Sequence, residues 1–176
     1  MTASLERFFA VLALAAFAGA AALLVARVVA GRAPVAADFV RAFTGARLPL
    51  TALVTAIATA GSLYFSEVAH FEPCKLCWFQ RIAMYPCAVL LVMAAVRKDL
   101  SVRRYVLVLA SGGAVASAYH CLVLWRPSLD SAACRVDVPC TSVPFTQLGF
   151  VSLPVMALAA FLFVIVLLTL PQPRSS

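Results

Sequence analysis

Charged side chains are scarce in this chain: 12% of its 176 residues are Asp, Glu, Lys or Arg, against 64% that are hydrophobic. At a mean hydropathy of +1.01, a soluble domain of this size could not hide so much apolar surface, so its solvent is lipid. A basic face is missing as well. The net charge of +7 comes from fourteen Lys and Arg scattered between apolar runs, which excludes a nucleic-acid surface and fits membrane topology instead. Nor is there room for a soluble domain, because the longest connections between apolar runs are short, residues 126–148 among them.

Five segments are long enough to cross about 30 Å of hydrocarbon at about 1.5 Å per residue. They are Phe8–Val29, Leu48–Ala69, Trp78–Val96, Tyr105–Trp125 and Gly149–Leu170. Arg97, Lys98, Arg103 and Arg104 crowd the link between the third and fourth segments and mark it as cytoplasmic. Alternation then places Arg27, Arg32, Arg41, Arg47 and the tail's Arg174 inside. The links around residues 70–77 and 126–148, with Glu72, Asp130 and Asp137, turn outward. The first segment, Glu6-Arg7 followed by an alanine-rich run, reads as a retained helix with its N-terminus outside; a cleaved signal peptide is the alternative. Residues 33–47 are either a short amphipathic helix on the inner surface or an irregular linker.

This topology puts Cys74, Cys77, Cys134 and Cys140 on the oxidising side, while Cys87 and Cys121 fall within apolar helices as small buried hydrophobes. Pro73 suits the first turn of a helix, where its missing N–H costs nothing. Cys74 and Cys77 would then lie near unpaired N–H groups and the positive end of the dipole, which favour thiolate, with Lys75 adding charge. A structural disulfide or half a zinc site would use the same two residues, but the second pair, spaced C-x5-C, is a poor zinc match. That second loop is long enough to close a disulfide and short enough to strain one, and strained exposed disulfides are oxidising. A static staple is its default alternative.

Arg81 lies one turn below Cys77, about 6 Å along the axis. An arginine near mid-bilayer costs roughly 2.5–3.5 kcal/mol, so Arg81 must snorkel, pair with Glu67 or Glu72, or polarise a bound electron acceptor. His120, deep in the fourth segment beside Tyr119, could hydrogen-bond a quinone carbonyl or a neighbouring helix. Thr141–Gln147 either lies along the outer surface and restrains the second loop or is a plain loop.

The run Pro73-Cys74-Lys75-Leu76-Cys77-Trp78-Phe79-Gln80-Arg81, followed by Met84-Tyr85-Pro86, resembles the DsbB/BdbC disulfide bond formation proteins. The second loop, Cys134-Arg135-Val136-Asp137-Val138-Pro139-Cys140-Thr141-Ser142, resembles the BdbC-type branch, and the likeness covers roughly Leu48 to Leu170. The resemblance implies an all-α membrane protein with a four-helix transmembrane bundle over 48–176. Residues 1–47 depart from the family pattern as one additional N-terminal helix and its linker. It further implies an inner-membrane oxidase, with no metal, that re-oxidises a DsbA-like thioredoxin-fold partner and passes the electrons to a membrane quinone, ubiquinone or menaquinone. In that scheme Cys134 and Cys140 meet the partner, with Cys134 in the mixed disulfide. Cys74 and Cys77 receive the electrons, Cys77 faces the quinone with Arg81 beside it, and His120 lies near the quinone. A vitamin K epoxide reductase-like enzyme fits less well, because there the quinone-facing CxxC follows the loop pair. A non-catalytic membrane protein stapled by its outer cysteines is the rival from another class.

Overall fold

The computed structural model describes residues 2–129, 134 and 138–171. Among these are helices α1 (Thr2–Val29), α2 (Pro34–Gly45), α3 (Arg47–Leu63), α4 (Lys75–Arg97), α5 (Arg103–Trp125) and α6 (Leu153–Thr169). A π-helical turn, Tyr64–Val68, extends α3. Asp130, Arg135, Val136, Asp137 and Arg174 lie outside the described residues.

Four of the expected spans, α1, α3 with its π turn, α4 and α5, are long and apolar enough to cross a membrane. The fifth, α6, is 17 residues and begins at Leu153 rather than Gly149. Leu148 (φ 54°) and Gly149 (φ 80°) adopt left-handed backbone, which cannot continue a helix. Reciprocal backbone bonds of 2.9 Å between Gln147 and Val151 close that turn. Ser152 and Pro154 then open α6, where proline's missing N–H is harmless.

α6 is apolar on every side, and a helix of that kind belongs in the interior. It packs against α1, α3 and α5, and α4 in turn packs between α3 and α5. Ala160, Phe161, Val164 and Leu168 join Leu91, Val106 and Ala110 in one core. Lipid tails are as apolar as leucine, so close backbone approach matters more than burial in holding such helices together. Gly113 shows this: a Cβ there would sit 2.2 Å from the Phe161 ring. Gly61 plays the same part between α3 and α1, where a Cβ would come within 2.6 Å of Phe9. α1 also bonds α6 and its lead-in at opposite ends, through Gln147 to Glu6 (2.9 Å) and Arg27 to the Thr169 carbonyl (3.2 Å).

Within residues 33–47 lies α2, a helix opened by Pro34 after an extended Ala33. Val40 is buried, whereas Arg41 and Asp38 pair with each other on the exposed side. In α3 the buried Thr51 and Thr55 hydroxyls donate to the carbonyls of Arg47 (2.7 Å) and Thr51 (2.8 Å), so neither is left unpaired. Arg27, Arg32, Arg41, Arg47, Arg97, Lys98, Arg103 and Arg104 all stand at one end of the bundle, and both cysteine-bearing loops stand at the other.

Candidate functional site

The site grows from the start of α4. His70 (φ 54°) turns the chain after the π turn, and the Phe71 N–H bonds the Phe65 carbonyl at 2.9 Å. Pro73 stays one residue outside the helix instead of entering its first turn. The cap is Cys74, whose Sγ accepts the Cys77 N–H at 3.4 Å. That bond makes Cys74 an N-cap in the way a serine oxygen would be. Cys74 and Cys77 are free thiols with sulfurs 3.0 Å apart.

Cys134 and Cys140 form a disulfide with Cα atoms 5.7 Å apart. Cys140 and Cys74 are both buried and share one cluster with Leu76 and Val123, against which Cys77, Tyr119 and Cys134 pack. His120, 1% exposed, joins the two pairs. Its Nε2 lies 3.0 Å from the Cys140 carbonyl oxygen and 3.8 Å from Cys74 Sγ, and its Nδ1 lies 3.2 Å from Gln80 Nε2. With the Gln80 amide donating to Nδ1, the neutral ring carries its proton on Nε2, where it can donate to the carbonyl or to a thiolate. Hydrogen bonding with the Cys77 thiol holds the Cys74 thiol well below its ordinary range. Burial opposes this, and the His120 ring and the Cys77 N–H add to it.

Arg81 pairs with neither Glu67 nor Glu72. Its Nη2 donates to the Ser62 carbonyl of α3 at 3.0 Å, and its guanidinium lies 5.4 Å from the Trp78 ring centroid. A cavity of about 350 Å³ lies beside it, with Cys74, Cys77, Gln80, Arg81 and His120 on its wall, Glu72 and Ser142 of the outer loops at its rim, and mostly apolar residues of α1, α3 and α6 on the rest. Cys134 and Cys140 do not line it. Tyr119, expected near His120, donates its hydroxyl to the Leu129 carbonyl at 3.0 Å. Thr141–Gln147 is irregular and is pinned by Phe145, whose ring centroid is 5.2 Å from Phe65 and 6.0 Å from Phe71. Cys87 is buried elsewhere, its Sγ 3.9 Å from the Val106 carbonyl oxygen.

Cys74, Cys77 and His120 also present donor atoms within 4.8 Å of one another, which a metal ion could use. Such an ion would have to displace His120 from Cys140. Gln80 was not singled out from sequence; an amide one turn below a cysteine in an apolar run was its available signal.

The family model described as disulfide bond formation protein DsbB matches residues 44–170. The chain belongs to the DsbB family. Among its relatives is disulfide bond formation protein C of Bacillus subtilis, 41% identical over 125 residues, 70% of this chain and 91% of that one. Another is named probable disulfide formation protein C 1 of Bacillus cereus, 47% identical over 112 residues, 62% of this chain and 80% of the relative. No solved structure matches the chain. This DsbB-family chain is therefore a multi-pass membrane disulfide bond formation protein, a thiol oxidoreductase, with α3–α6 inside the family match and α1 outside it.

Proposed function

We propose that this protein re-oxidises a DsbA-like thioredoxin-fold dithiol outside the cytoplasm and delivers the electrons to a membrane quinone, ubiquinone or menaquinone. One observation carries the reading: the two cysteine pairs share one buried cluster, His120 contacts Cys74 Sγ and the Cys140 carbonyl, and one pair lines an apolar cavity. The basic end of the bundle faces the cytoplasm by the positive-inside tendency, so both pairs face outward. The cavity fits the acceptor, since a largely apolar pocket of about 300–1,000 Å³ with a few convergent polar groups is usual for small ligands. Arg81 would hold the polar ring close to Cys77, and His120, which lines the same wall, would reach it only by giving up its bond to the Cys140 carbonyl.

A bound quinone supplies an acceptor for two electrons and two protons, and a two-electron couple gains roughly 1.4 kcal/mol per 30 mV of potential difference. The partner's thiolate attacks Cys134, and the Cys134–Cys140 bond breaks with Cys140 leaving as thiolate. The partner's second thiol then displaces Cys134, so the partner leaves oxidised. The resulting Cys134/Cys140 dithiol exchanges with the disulfide form of Cys74 and Cys77, which restores Cys134–Cys140. Cys74 and Cys77, now thiols, yield two electrons and two protons and close again. His120 and the Cys77 N–H steady the Cys74 thiolate through this exchange. Residues 48–176 form the catalytic core in this reading and 1–47 an addition, in keeping with the family match over 44–170.

The test is quinone reduction by purified protein with a reduced thioredoxin-fold donor. Cys77→Ser abolishes it, and Cys140→Ala presented with the oxidised donor traps a mixed disulfide, the Cys134 thiolate attacking the donor's disulfide and one donor sulfur leaving as thiolate. Absence of both quinone reduction and trapping would return the outer cysteines to the role of static staples.

A further inference from the structure

The cavity beside the thiols is not closed by the family core alone. Phe9, Leu12, Ala13 and Ala16 of α1 line it, although α1 lies outside the family match. Phe9 seats its ring against Gly61, where no Cβ could stand, and touches Phe65 with centroids 5.6 Å apart. From Phe9 to Ala16 the α1 wall runs about 10 Å along the helix axis at about 1.5 Å per residue. Its side chains carry only carbon at those positions, whereas the polar lining groups all come from α3, α4, α5 and the outer loops.

We infer that α1 supplies the subsite for the aliphatic tail of the electron acceptor, so that this added helix sets tail selectivity. The inference rests on the quinone reading above and assigns the remainder of the same cavity. Small Ala13 and Ala16 leave the room, and Leu12 and Phe9 bound it. The tail subsite is a wall built by a helix outside residues 44–170, the stretch that the family model matches.

The experiment uses full-length protein in lipid nanodiscs and two quinones with the same ring, one polyprenyl-tailed and one tailless. A photoactivatable diazirine on the tail labels the Phe9–Ala16 stretch, read by mass spectrometry. Ala13→Phe and Ala16→Phe raise the Kd of the tailed quinone about tenfold and change that of the tailless one less than twofold. Leu12→Ala, which removes apolar contact without overfilling, raises it about fivefold and carries the test where a phenylalanine variant fails to fold. Val11→Phe, on the exposed side of α1, changes neither Kd. Labelling confined to α3, α4 and α6, or an equal loss for both quinones, overturns the inference and leaves the quinone reading standing. A lipid acyl chain that labels the stretch and is not displaced by tailed quinone overturns it too. Failure of wild-type protein to bind either quinone sinks the reading beneath it.

Discussion

Cys74 is held as a thiolate chiefly by its neighbour's thiol, and this has a measurable consequence. In the reduced protein, Cys77 Sγ sits 3.0 Å away and His120 Nε2 3.8 Å away, so the first contact is the stronger. A hydrogen bond to a charged acceptor contributes roughly 1.5–3 kcal/mol. At about 1.4 kcal/mol per pH unit, Cys77→Ala moves the Cys74 titration up by about one to two units. Cys77→Ser, which keeps a hydroxyl donor, moves it less, and His120→Ala moves it by under about one unit, in keeping with the longer contact. The folded value is depressed, so the thiolate's stabilising contribution is present above the ordinary thiol range and is lost as pH falls through the folded value. The assay is the pH dependence of Cys74 alkylation by a small reagent, quantified by mass spectrometry after reduction. A wild-type midpoint near the free-cysteine value of about 8.5, unmoved by any of the three substitutions, would refute the argument.

Gly113→Ala forces a methyl group to within 2.2 Å of the Phe161 ring, and overpacking of this kind costs about 1–3 kcal/mol; a fall in Tm of the detergent-solubilised protein, with Gly112→Ala as the unhindered control, checks it. Arg81→Gln removes the cation that bonds the Ser62 carbonyl on the cavity wall. It weakens quinone Kd about tenfold or more while the rate of exchange at Cys134–Cys140 changes less than twofold, and equal damage to both steps counts against the assigned role.

Hydropathy made the spans legible, and the same spacing that marked Cys74, Cys77 and Arg81 put them on one cavity wall. The partners of those residues were not legible. Arg81 had two carboxylates within plausible reach in sequence, yet it bonds the Ser62 carbonyl, while Glu67 accepts from the Ser66 hydroxyl. Gln80 and His120 are 40 residues apart, and only the packing of α4 on α5 brings their side chains together. The start of α6 was misplaced because apolar Leu148 and Phe150 carry the hydropathy of a span through a left-handed turn. His120 was noticed as an intramembrane ionisable group, but its contact with the Cys140 carbonyl depends on how the second loop returns.

The two polar bonds that tie α1 to the core, Glu6 with Gln147 and Arg27 with the Thr169 carbonyl, act as a clasp at each face of the membrane. Between them the contacts are apolar, with Phe9 seated against Gly61 and Phe65 and with Gly19 under the Phe163 ring. Removing one residue from the stretch between Glu6 and Arg27 would rotate one end against the other by about 100°. The helix could then keep either clasp or the placement of Ala13 and Ala16 on the cavity, and not all three.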